Sequence, residues 1–225
     1  MPAQPTKNIG RKFNSDGSVR FFPGNTVICK IKMKHPAFPP LTQALNGFSA
    51  MHCAQSYAFL PPASLHMTII QGVCDEDRQP ALFTSKLPLD APLEAVDALF
   101  EKQFKSVAPL GETWMRFSCV DIGNDIIIVR FMPETAKDAE NLKAYRNDVS
   151  DHLGLRFPDH DSYGFHVSLG YKLFALSNAQ AAETTQVKTQ IEAMLAQALP
   201  RFQLPQPEMT YFYNMFCFQS NRIVR

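Results

Sequence analysis

Two short stretches one hundred positions apart constrain this chain more than any other feature. "SLHMTIIQG" (64–72) interleaves His66 and Thr68 with Leu65, Met67 and Ile69, and "GFHVSLGY" (164–171) interleaves His166 and Ser168 with Phe165, Val167 and Leu169. Side chains on a strand alternate between its two faces, so each stretch reads as a strand with a histidine and a hydroxyl on one face and an apolar row on the other. A lone histidine on a half-apolar strand is ordinarily a hydrogen-bonded core residue. The same pair twice, in the same phase, argues for a shared use. A third bare match, His160 and Ser162 in "PDHDSYG", lacks the apolar flanks. Its Pro158, Asp159, Asp161 and Gly164 mark a turn, where no strand holds the two side chains on a common face.

The regions upstream repeat the theme. "TVICKIKM" (26–33) reads as a strand, Pro39 and Pro40 open a short helix through "LTQALNGF", and the His66 strand follows. In the second half "TWMRFSCVDIGNDIIIVRFM" reads as a hairpin turning at "GND". A helix follows in "TAKDAENLKAYRNDVSDHLG", its apolar stripe Leu142, Tyr145, Val149 and Leu153 and its stop Gly154, and then comes the His166 strand. Sliding the first half by one hundred residues lays Ile28 on Ile128 and Lys30 on Arg130. The pattern predicts a duplicated unit whose pseudo-two-fold axis brings the histidine strands together. Outside the repeat, "LEAVDALFEKQF" is a helix with Asp90 as its cap and Pro92 in its first turn, and "NAQAAETTQVKTQIEAMLAQAL" is a long helix ended by Pro200. "EMTYFYNMFCF" reads as one closing strand, with Tyr211 and Tyr213 as core rings. Residues 1–25, rich in Pro, Gly, Asn and Ser, read as an irregular lead-in to a single body over 26–225.

The 225 residues, 45% hydrophobic and 19% charged, suit one compact body with a large core. A net charge of +1 leaves no footprint of a duplex-DNA binder, though a local basic pocket for one phosphate remains open. The start "MPAQPTKNIGRKF" has no apolar run of a signal peptide, and stretches such as "DIIIVRF" are too short for a bilayer, so the expected location is the cytoplasm with no membrane partner. Cys29, Cys53, Cys74, Cys119 and Cys217 are scattered, with no Cys-x-x-Cys pair, and read as reduced thiols.

Two imidazoles facing one cleft, each with a hydroxyl two residues on, suit a reaction that needs an acid and a base near neutrality, and phosphodiester cleavage is one such reaction. The hydroxyls of Thr68 and Ser168 would donate to phosphate oxygens while one histidine takes a proton from water and the other gives one to the leaving oxygen. Metal ligation stalls at two ligands, because neither strand offers a carboxylate or thiol on the histidine face. A serine nucleophile is disfavoured, since Ser168 lies in no Gly-x-Ser-x-Gly turn.

The paired stretches "LHMTI" and "FHVSLGY" resemble the two His-x-Thr/Ser signatures of the two-histidine (2H) phosphoesterase superfamily, and "FFPGNTVI" is similar to a poorly characterised bacterial branch of it. The resemblance covers about residues 26–220. It implies an α/β (α+β) LigT-like fold, bilobed, in which two pseudo-symmetric lobes with antiparallel sheets form a central cleft. It implies a metal-independent, cofactor-free phosphoesterase hydrolysing a cyclic phosphodiester, of 2′,3′-cyclic nucleotide or RNA-end type. By the same resemblance His66 and His166 are the catalytic pair and Thr68 and Ser168 the phosphate-binding hydroxyls. Lys30 and Arg130 are candidate cleft cations or else solvated strand-edge charges, and Tyr171, by strand phase, belongs to the packing face. A non-catalytic module that binds a phosphorylated ligand or nucleotide is the alternative.

Overall fold

The computed structural model describes residues 3–123 and 125–221. The elements follow the order β1 (Gly24–Lys30), α1 (Phe38–Ser49), β2 (Tyr57–Phe59), β3 (His66–Cys74), α2 (Leu93–Phe104), β4 (Trp114–Ile122), β5 (Ile126–Pro133), α3 (Ala136–Leu153), β6 (His166–Lys172), α4 (Asn178–Ala198), β7 (Arg201–Gln203), β8 (Glu208–Asn214) and β9 (Cys217–Gln219). All strand pairs are antiparallel, and the spatial order is β7-β4-β5-β6-β3-β1-β8-β9, with β2 lying against β6.

That order is a palindrome about the β6–β3 junction, where Met67 meets Val167. On one side β3 pairs with β1 and β1 with β8; on the other, β6 pairs with β5 and β5 with β4. The architecture is thus two half-sheets that share one seam, with the histidine strands innermost. Buried Val27, Cys29, Met67, Ile69, Val129, Val167 and Leu169 join the helix side chains Leu41, Phe48, Phe100, Leu142 and Leu195 in one apolar core. The histidine faces are left to the other side.

The helices begin where local chemistry allows. Thr135 accepts from the Asp138 amide and Ser177 from that of Gln180, each closing a capping box, and Gly154 at φ +63° ends α3 in the left-handed conformation that favours glycine. The expected Asp90 cap on α2 is not used; Pro92 occupies the N-cap with no side-chain bond, and its carbonyl accepts from the Ala95 and Val96 amides. The closing strand is also corrected. The Asn214 carboxamide accepts from the Phe216 amide, bends the chain at Met215 and Phe216, and yields the hairpin β8–β9.

The lead-in is irregular but tied down. Thr6 and Asn8 bond the carbonyl of Lys172, Asn8 also bonds that of Asp125, and the Phe22 amide reaches Tyr213. Phe13, fully buried with Phe22, Leu60, Leu173, Phe212 and Met215, anchors it. Residues 5–22 therefore form a strap across one end of the concave face, joining the β6 side to the β8 side.

Candidate active site

Both histidines begin their strands, and each ring is locked by its own backbone. Nδ1 of His66 lies 2.6 Å from the Ser64 carbonyl, and Nδ1 of His166 lies 2.8 Å from that of Gly164, two residues back in each case. A carbonyl can only accept, so Nδ1 carries the proton and Nε2 is the nitrogen left for chemistry. Across the strand pairs, Lys30 stands opposite His66 and Arg130 opposite His166, while Ile28 faces Thr68 and Ile128 faces Ser168. The one-hundred-residue offset is the actual register of the two half-sheets.

The symmetry extends one strand further. Glu208 of β8 is opposite Ile28, and Asp121 of β4 is opposite Ile128. Lys30 donates to Ser220 at 2.7 Å and sits 3.5 Å from Glu208, and Arg130 grips Asp121 through Nε at 2.9 Å and Nη2 at 2.6 Å. Each ring thus has a cation beside it and a carboxylate behind the cation. Neither cation belongs to the cavity wall.

His66, Thr68, His166 and Ser168 line one cavity of about 470 Å³, a volume that suits a nucleotide-sized ligand. Burial pulls the His66 imidazole down to about 4, helped by the positive charge of Lys30 and by His166 and opposed by the Ser64 carbonyl. Burial also lowers His166, with Arg130 adding to the effect and Asp121 and the Gly164 carbonyl countering it. His66 is the harder ring to protonate. Phe218 packs on it with ring centroids 4.3 Å apart.

Tyr163 and Tyr171 also line this cavity, and sequence reasoning missed both. Tyr163 lies in the turn before β6, and burial pushes its hydroxyl up to about 12 against the opposing influence of the Arg146 charge and of Thr68. The guanidinium of buried Arg146 sits 4.7 Å from its ring centroid and donates to the carbonyls of Ile69 and His160. His160 itself is buried in a short 3₁₀ turn against Asn147, as the turn residues around it imply. Tyr171 is a correction: period two sends it to the packing face, but β6 is bulged. Ile128 pairs with Ser168 and Ile127 with Gly170, so Leu169 is an extra residue and the phase reverses beyond it. An equivalent bulge at Ile69, between Thr68 opposite Ile28 and Ile70 opposite Val27, turns Gln71 into the cavity. Glycine within each strand, Gly72 and Gly170, was the available signal.

A protein-family model described as 2H-phosphodiest, domain of unknown function (DUF1868), matches residues 12–125, just over half of the chain. The chain belongs to this family. The match begins within the strap and runs through the His66 half, and the corresponding constellation at His166 lies beyond it. Among solved structures, a conserved protein of unknown function from Agrobacterium tumefaciens is 28% identical with a TM-score of 0.88, covering 97% of this chain and 92% of that one. A Thermus thermophilus protein is 11% identical with a TM-score of 0.47 over 83% of this chain and 87% of that chain. Kluyveromyces marxianus Usb1, solved with uridine monophosphate, is 12% identical with a TM-score of 0.43 over 89% and 95%. At those scores neither of the last two bears on this chain. No curated protein matches it. Among the described residues no helix is long and apolar enough to cross a membrane.

Proposed function

We propose that this 2H-family chain hydrolyses a cyclic phosphodiester, of 2′,3′-cyclic nucleotide or RNA-end type, with His66 and His166 as its proton-transfer pair. The observation that carries the reading is the pair of rings, each with Nδ1 tied to its own backbone and Nε2 free for ligand, lining one cavity with a hydroxyl two residues on. Thr68 and Ser168 hold the non-bridging oxygens. His66, held neutral by burial and Lys30, takes a proton from water as the water oxygen bonds to phosphorus. The bond from phosphorus to one ribose oxygen breaks, and imidazolium His166 gives that oxygen its proton, leaving a phosphomonoester. Lys30 and Arg130 act through the rings: each positive charge disfavours a second proton nearby, and at His166 Asp121 offsets part of the Arg130 charge.

The chemistry asks for no metal. Among the described residues no three His, Cys, Asp or Glu side chains converge into a group that could hold a cation. The test is incubation with nucleoside 2′,3′-cyclic phosphates and with oligoribonucleotides ending in a cyclic phosphate, in excess EDTA, with products identified by mass. Appearance of the monoester, lost in His66→Ala and His166→Ala, is expected. Cleavage abolished by EDTA and restored by one divalent ion would overturn the two-histidine scheme.

A further inference from the structure

The strap carries charge to the cavity. Lys7, Arg11 and Lys12 all line it, yet they differ in what holds them. Lys7 pairs with Asp125 at 2.7 Å and Arg11 pairs with Asp77. Lys12 has no carboxylate within ion-pair reach among the described residues; its ammonium instead stands 4.6 Å from the Tyr171 ring centroid and 5.3 Å from that of Phe22. Ring faces attract a cation without neutralising it, so Lys12 keeps a whole charge in place. Its position is not left to a floppy chain: the next residue is the fully buried anchor Phe13, and Gly10 at φ +81° makes the turn that aims this segment over the cavity.

Tyr171 pairs with Ile126 and Ser168 with Ile128, so across the bulge their roots are two ladder steps apart, about 7 Å along the strand. Lys12, Thr68 and Ser168 line one cavity, so an anion at Lys12 and a phosphate at the two hydroxyls are close enough to belong to one ligand. We propose that Lys12 binds a second phosphate of the substrate, about one nucleotide unit from the phosphodiester between the histidines, so that the substrate is a nucleotide or RNA end carrying an additional phosphate. This rests on the reading that the four motif side chains hold a phosphate.

Binding titrations with a nucleoside 3′,5′-bisphosphate, the corresponding 3′-monophosphate and a dinucleotide bearing a 3′-phosphate test it. The bisphosphate or the dinucleotide should bind at least tenfold tighter than the monophosphate. Whichever of the two binds more tightly identifies the source, a free nucleotide for the bisphosphate and an RNA end for the dinucleotide. Lys12→Met, which keeps the apolar stem over Tyr171, should bring that ratio close to one, and Lys12→Arg should preserve most of it. Equal binding of all three ligands, a ratio unchanged in Lys12→Met, or no binding at all would overturn the proposal. A protein that shows the Lys12-dependent ratio but cleaves no cyclic ester keeps this second site and loses the hydrolase reading, so the two can fail separately.

Discussion

A histidine in a strand is a poor clue until its second nitrogen is accounted for. In His66 and His166 the Nδ1 bond to a carbonyl two residues back settles the tautomer, and that bond needs only the local strand entry, not the rest of the fold. The difference between the rings is tertiary: burial and Lys30 bear on His66, whereas Asp121 partly offsets Arg130 at His166. Both are easier to deprotonate than a free imidazole, so the form with neutral His66 and protonated His166 is populated on the acid side of the ordinary histidine value of about 6.5. We therefore expect a bell-shaped pH profile of kcat/KM with its acid limb near 4 and its maximum below 6.5, and a loss of about a hundred- to ten-thousand-fold for His66→Ala or His166→Ala. Replacement by Ala at Thr68 or Ser168 should cost less, since a phosphate contact goes and the proton transfer stays. A profile centred above pH 7.5 would show that burial does not set these pKa values.

At the scale of elements the informative feature is the matched pair of bulges. Each extra residue, Ile69 or Leu169, reverses the strand phase just after the hydroxyl, so His, hydroxyl and the residue at position 71 or 171 reach one cavity. A regular strand would send the third away. Gly72 sits at a second irregularity of the β1–β3 pair, opposite Asn25, where the backbones approach closely: a Cβ there would lie 2.1 Å from the Asn25 carbonyl oxygen and 2.3 Å from its Oδ1. Backbone cannot swing aside as a side chain can. The Asn25 side chain is further engaged, accepting from the Val73 amide and donating to Asp97. Gly72→Ala should destabilise the protein by about 1–3 kcal/mol, read as a lower urea midpoint at unchanged slope. An unchanged midpoint would mean that β1 and β3 are less tightly joined there than the register implies.

On the scale of the whole molecule, the cavity exists because two half-sheets meet at Met67 and Val167, and each contributes one of the two histidines. Neither half holds both. The rings should then behave as one unit: the double variant His66→Ala/His166→Ala is expected to be hardly slower than the worse single variant, far short of the product of the two losses. Losses that multiply in single-turnover assays would mean that the rings act on separate steps. The strap across the open end, pinned by Phe13, is likewise a feature of the assembled molecule, made from residues 5–22 that carry no strand periodicity.

How much of this could be read from the chain alone follows from the range of the forces involved. The alternation in "SLHMTIIQG" and "GFHVSLGY", the hundred-residue offset and the apolar stripe and stop residue of α3 are local patterns, and they suffice to place both histidine faces, the register of Lys30 and Arg130, and the helices between. Burial of an apolar row is a demand that each strand makes by itself, so period and phase survive into the fold. Tyr171, Tyr163, Gln71 and Lys12 were not legible, because Gly72 and Gly170 hint at irregular strands without fixing the residue at which a bulge resets the phase, and nothing near Lys12 says where the strap will lie. Their positions come from contacts between segments far apart in the chain: Asn8 on Lys172, Phe13 against Tyr171, Arg146 on the Ile69 carbonyl. The sequence alone determined which strand faces carry the paired histidines and hydroxyls; packing between distant segments decided what else lines their cavity, since a cavity wall belongs to no single segment.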